Sequence, residues 1–141
     1  MKNFFVGLTA ALVGMQLGAC VQEKEPVQMA EREYVIVVHG GAGAMAGLEN
    51  DTVKASQYYA ALDSALTIGD AILADGGEGI EAVKAVIRYF EGNPLFNAGV
   101  GATCTIDGVF ELDAAIMEGK DLSAGSVAGV KYIKHPIDAA Y

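Results

Sequence analysis

Cysteine is scarce in this chain of 141 residues: only Cys20 and Cys104 are present. With Cys20 assigned to processing below, no internal disulfide can form, and the fold must stand on its core. Basic residues are few as well. Nine Lys and Arg face 18 Asp and Glu, a net charge of −9, and the basic side chains form no stripe. Such a surface repels phosphate, which excludes a nucleic-acid partner. Long apolar runs are limited to one, Phe4 to Leu17, and about 14 residues are too few to span a bilayer.

That run follows a cationic Met1-Lys2 start and ends in small residues, the pattern of a bacterial secretory leader. Its ending, Leu17-Gly18-Ala19-Cys20, resembles a lipobox, where lipoproteins are cleaved and the cysteine acylated. The alternative is an ordinary cleaved leader with an incidental cysteine. Acylation of Cys20 implies an exported, periplasmic or outer-membrane lipoprotein, attached to the membrane through its lipid anchor only. Residues 1–20 are thus read as leader. Without Lys2, 8 basic residues oppose 18 acidic ones, for a net −10. Residues 21–33 are polar, acidic and contain Pro26, which suits a flexible tether. Residues 34–141 remain as a single domain.

Within that domain the most unusual stretch is Asn93-Pro94-Leu95-Phe96-Asn97-Ala98-Gly99-Val100-Gly101. Proline pushes Asn93 toward extended backbone, and the glycines permit positive φ or close backbone approach, so the peptide is expected to coil and turn carbonyls inward. Converging carbonyls without clustered carboxylates suit a hard monovalent cation or a structural water better than a transition metal. A buried turn that merely joins helix to strand is the plainer reading.

Tyr34 to Val38 is a β-branched run, predicted as a strand buried on both faces, and it leads into His39-Gly40-Gly41-Ala42-Gly43. Gly41 to Ala46 fits a dinucleotide fingerprint loosely, but the next helix start lies several residues later, at Asn50-Asp51. His39-Gly40-Gly41 is also similar to a lipase oxyanion loop, yet no G-x-S-x-G motif follows. From the Asp51 cap, Ala55, Tyr58, Tyr59, Leu62, Ala65, Leu66, Ile72 and Leu73 recur at helical spacing until Gly76-Gly77. A second helix over Glu78 to Glu91 places Ile80, Val83, Ile87 and Phe90 on one face, and both helices are expected to cover one side of a sheet. Tyr58, Tyr59, Tyr89 and Phe90 read as core.

Beyond the central stretch, Ala102 to Ile106 is predicted as a strand, Asp107-Gly108 as a tight turn and Val109 to Met117 as the partner strand. Asp113 within it either holds a neighbouring loop or sits at a solvated edge. After a turn at Glu118 to Asp121, Gly125 to Val130 forms a third strand, and a helix begins after His135-Pro136.

The order of these motifs resembles the plant-type asparaginase and isoaspartyl peptidase family of N-terminal nucleophile hydrolases. H-G-G-A-G lies at His39 to Gly43, N-P-L-F-N-A-G-V-G at Asn93 to Gly101 and E-L-D-A-A-I-M-E-G at Glu111 to Gly119. Gly125 to Val130 and His135-Pro136-Ile137 continue the match to Tyr141. The resemblance implies an α+β fold, the front of the α subunit of a four-layer αββα sandwich. It also implies a precursor that cuts itself into α and β subunits, with an (αβ)2 assembly.

The family nucleophile is a threonine exposed as the first residue of β, and Thr52, Thr67, Thr103 and Thr105 lie outside the motif that carries it. No catalytic residue is therefore assigned in this chain. The complete protein is expected to hydrolyse L-asparagine and β-aspartyl peptides. The threonine's own α-amine, with a pKa of about 7.7–8.0, can take its hydroxyl proton. Glycosylasparaginase activity and a non-catalytic surface lipoprotein are the alternatives.

By the same resemblance, the main-chain carbonyls of Phe90, Glu91, Asn93, Phe96, Ala98 and Val100 match a sodium-binding loop. No organic cofactor is implied. Asn97 matches an asparagine near the nucleophile, and Gly40, Gly41 and Gly43 match the turn packed against the scissile bond. Glu78 stands where relatives often carry a serine cap, which should weaken that helix start slightly. A half-sandwich leaves sheet edges and apolar faces open. Residues 21–141 expressed alone should therefore be inactive and poorly soluble, and a monomeric, cooperatively melting domain would contradict this.

Overall fold

The computed structural model describes residues 34–42 and 48–141. The leader, Cys20, the tether, Gly43 and most of the fingerprint-like stretch lie outside the described residues. No helix among those described is long and apolar enough to cross a membrane.

Helix α1 runs over Thr52–Ala74 and α2 over Gly79–Glu91. The Asp51 side chain accepts a bond from the Lys54 amide and starts α1, and Gly76 at φ +80° ends it. The buried face of α1 is a stripe of small residues, Ala61, Ala65 and Gly69, one per turn. At Gly69 an added Cβ would strike Ile36 and stand 3.1 Å from Val86, so the glycine lets Ile36 reach α2. Ala61, Ala65, Val86, Phe90 and Phe96 make one core cluster, flanked by Ile36, Val38, Tyr58 and Leu62.

Strand β1, Leu112–Met117, pairs antiparallel with β2, Ala124–Val130, with Leu112 opposite Val130 and Ala114 opposite Val127. Between these pairs one residue on β1, Asp113, lies opposite two on β2, Ala128 and Gly129, a bulge in which Gly129 takes φ +64°. Asp113 is exposed, and its Oδ1 accepts the Gly129 amide at 2.8 Å. It is at once an edge residue and the clamp of the bulge. Helix α3, Pro136–Ala140, packs on this sheet, and Ile80, Ile116, Ile137 and Ala140 form the second cluster. Gly125 makes that docking possible, because a Cβ there would collide with the Ala140 carbonyl. Arg88 pairs with Asp138, and the Lys84 ammonium lies 4.0 Å from the Tyr141 ring centroid. Through its bond to Lys84, the Glu81 carboxyl is held below its usual range, and the same contact raises the Lys84 ammonium.

Several expectations need correction. The α+β class holds, and the two antiparallel strands with helices among the described residues are compatible with the expected part of a sandwich. Tyr34 to Val38 joins no ladder among the described residues, and only one of its faces is covered. Ile36 and Val38 pack on the core, while Val35 and Val37 are 87% and 85% exposed. Extended propensity makes a strand only when a neighbour accepts its hydrogen bonds. Ala102 to Ile106 likewise forms no strand. Its turn closes by Thr105 N–H to Val109 O at 2.8 Å with Gly108 at φ +73°, and β1 then pairs with β2 instead.

On α2, Val83 is exposed and Ala82 and Val86 are buried in its place. Of the aromatic stripe, Tyr59 is exposed. Glu78 caps α2 without a side-chain bond, as its chemistry suggested. Asp113→Ala should free the Gly129 amide at a cost of about 1 kcal/mol, raising its hydrogen-exchange rate several-fold while distant amides keep theirs.

Candidate functional site

The last turn of α2 delivers the chain into the central stretch, which folds into successive tight turns. Asn93 Oδ1 accepts the Leu95 amide at 3.0 Å across Pro94, and the Asn93 carbonyl accepts from Phe96 N–H at 3.2 Å. Phe96 turns inward and is buried, its ring 4.4 Å from that of Phe90 and edge-on to Tyr58 at 6.0 Å. From α1, the Tyr58 hydroxyl donates to the Leu95 carbonyl at 2.9 Å. A short 3-10 turn, Gly99–Gly101, completes the loop.

Here the backbone is packed on backbone. A Cβ on Gly99, which has φ +49°, would collide with the Glu91 carbonyl. One on Gly101 would strike the Phe96 carbonyl and stand 2.9 Å from that of Pro94. The carbonyls of Glu91, Pro94 and Phe96 thus close on the loop's own glycines. The Phe90, Asn93, Phe96 and Ala98 carbonyls each accept one internal bond, from Asn93, Phe96, Ala98 and Gly101 respectively. Each of these oxygens keeps a second lone pair. An all-carbonyl donor set of this kind fits a hard monovalent cation, and no cluster of His, Cys, Asp or Glu suited to a metal occurs among the described residues.

Against this loop lies the glycine turn. A Cβ on Gly40 would sit 2.9 Å from the Phe96 ring and 3.4 Å from Leu62, so only glycine lets the turn approach. Gly41 has φ +97°, and its amide donates to His39 Nδ1 at 3.1 Å. The two motifs share a cleft of ≈ 750 Å³, lined by His39 to Ala42 on one side and Leu95 to Ala98 on the other, with Tyr58 and Thr103. Asn97 is exposed on that rim, its Oδ1 accepting the Thr103 amide at 2.8 Å. Gly40, Gly41 and Asn97 are thereby brought together. Val100 lies at the outer side of the loop, with its side chain 60% exposed.

Sequence reasoning missed the side chain of Glu91. This carboxylate is only 3% exposed, accepts the Ile137 amide at 3.0 Å through Oε1, and meets His135 Nδ1 at 3.1 Å through Oε2. An acidic residue in the last turn of a helix opposes the helix dipole, and that local anomaly was a signal that a partner is needed.

Comparison of the sequence with known proteins identifies its family. The profile of the asparaginase family (Asparaginase_2) covers residues 32–141, and the chain belongs to that family. It is 43% identical over 106 residues to the isoaspartyl peptidase of Salmonella typhimurium, covering 75% of this chain and 34% of that protein. Identity is also 43%, over 105 residues, to the plant-type L-asparaginase of Pyrococcus horikoshii, covering 74% of this chain and 33% of that one. The human isoaspartyl peptidase/L-asparaginase is 41% identical over 107 residues, covering 75% and 33% respectively. The chain thus spans about a third of the length of these curated relatives.

Gly101→Ala should cost about 1–3 kcal/mol, because the new methyl meets fixed carbonyls rather than a mobile side chain. Gly119→Ala, at a glycine with open space around its Cα, should stay within about 0.5 kcal/mol. Chemical unfolding midpoints of the intact protein compare the two.

Proposed function

We propose that this chain is the cradle of an amidohydrolase that releases ammonia from L-asparagine and cleaves β-aspartyl peptide bonds. The observation that carries the proposal is the meeting of the His39-Gly40-Gly41 turn with the Phe96-Asn97 loop at one cleft. Relatives 41–43% identical over about three quarters of this chain are named as isoaspartyl peptidases and L-asparaginases, which supports the same chemistry here.

The nucleophile in this reading is a threonine at the start of a second subunit, released by self-cleavage and paired with the present segment in an (αβ)2 assembly. Its hydroxyl adds to the amide carbon, the amine leaves with a proton, and water hydrolyses the resulting β-aspartyl ester. The residues present here bind and orient. Asn97 is in place to set the position of a side chain entering the cleft. Gly40 and Gly41 offer bare backbone to the peptide that is cut during maturation. The carbonyls of Phe90, Glu91, Asn93, Phe96, Ala98 and Val100 would hold a sodium ion, which supplies a fixed charge that keeps the loop closed.

In the same proposal the protein is exported and held at a membrane surface by acylated Cys20, a reading supported by Leu17-Gly18-Ala19-Cys20. The test of function is direct. The intact protein is purified, its mass measured for division into two pieces, and ammonia or aspartate release followed with asparagine and a β-aspartyl dipeptide. Division with a threonine heading the second piece, together with turnover of either substrate, is expected. A divided protein that is silent on both substrates overturns the reading. Asn97→Ala should lower kcat at least tenfold in protein that has matured.

A further inference from the structure

Glu91 carries two jobs on one residue. Its main-chain carbonyl presses against Gly99 in the carbonyl loop, and its buried carboxylate reaches across to the segment that enters α3. Both carboxylate oxygens are used there, one by the Ile137 amide and one by His135. These partners lie more than forty positions away in sequence, at |i−j| of 46 and 44. Glu91 is the buried charged residue among those described. Beyond it, Ile137 is 1% exposed in the second core cluster, and the Ala140 carbonyl lies against Gly125 of β2. A displacement of the Glu91 backbone therefore pulls on its carboxylate, and loss of the carboxylate bonds removes what ties the end of α2, whose Glu91 carbonyl lies against the loop, to the segment that enters α3. Close-packed interiors transmit such shifts rather than absorb them.

We propose that Glu91 is a positioning residue that couples occupancy of the carbonyl loop to the seating of α3. This rests on the cation reading of that loop, and it assigns to the side chain a role distinct from that of the carbonyl. Coupling of this kind is reciprocal: whatever ion binding gives to the docking of residues 135–141, that docking returns to ion affinity. The other charged groups beside the contact, Arg88 and Asp138, pair with each other at the surface, so they respond to ionic strength rather than to a particular ion.

The experiment is hydrogen exchange of the intact protein, read by mass spectrometry on peptides covering 93–101 and 134–141. It is run in sodium chloride and in choline chloride at equal ionic strength, with sodium-23 line broadening as an independent measure of binding. Exchange of 134–141 is expected to slow about tenfold in sodium, within the usual range of coupling between sites. The ratio should fall close to one in Glu91→Ala, in which sodium still broadens but at weaker affinity. Should Glu91→Ala fail to fold, His135→Ala removes one of the two legs and is expected to reduce the ratio. Line broadening with protection of 93–101 but none of 134–141 overturns the coupling alone, as does an undiminished ratio in either variant. Absence of broadening overturns the cation reading and this proposal with it.

Discussion

The close approach of main chain to main chain at Gly99 and Gly101 is the constraint on which the rest of this structure depends. No side chain fits between these α-carbons and the carbonyls of Glu91 and Phe96, so the loop after α2 can coil only with glycine at both places. Once coiled, it drives Phe96 inward onto Phe90 and Tyr58. Burying a Phe side chain contributes about 1.5–3 kcal/mol toward holding the loop in this shape. The same inward ring sets the floor on which Gly40 rests. Packing at one turn therefore decides where the other turn stands, and the cleft between them follows.

Position matters here more than reactivity. The described residues around the cleft contribute the exposed Asn97 amide, a histidine engaged with its own turn, the Tyr58 and Thr103 side chains, apolar side chains and backbone. Such a surface is suited to orienting a group that enters the cleft. Among the described residues no cluster of His, Cys, Asp or Glu suited to a metal occurs, and glycines rather than titratable groups shape the cleft. Val35, Val37, Met117 and Leu122 stay 60–87% exposed, an apolar surface out of proportion to so small a unit.

Much of this was legible in the residues themselves. Helical spacing after Asp51, bounded by Gly76, located α1 within a residue, because cap chemistry and periodicity are local. The coil of the central stretch was legible for the same reason, since Pro94, Gly99 and Gly101 restrict or free the backbone wherever they occur. Strands were harder to place. Tyr34 to Val38 and Ala102 to Ile106 have strand composition, but a ladder is a property of two segments, and neither finds a partner among the described residues. The apolar face of α2 was misjudged at Val83 because neighbouring elements, not periodicity alone, decide which flank is covered. The role of the Glu91 side chain escaped notice since its partners lie far along the chain.

The central claim is that the glycine-shaped loop and turn form a cradle around a threonine supplied by another segment. A crystal structure of the mature, intact protein with bound aspartate tests it most directly. The account predicts the new N-terminal threonine in the cleft between Gly40 and Phe96, with its hydroxyl within hydrogen-bonding reach of the Asn97 side chain, directly or through one water. A reactive threonine seated in a different cleft, with Asn97 facing only solvent and Thr103, would contradict it.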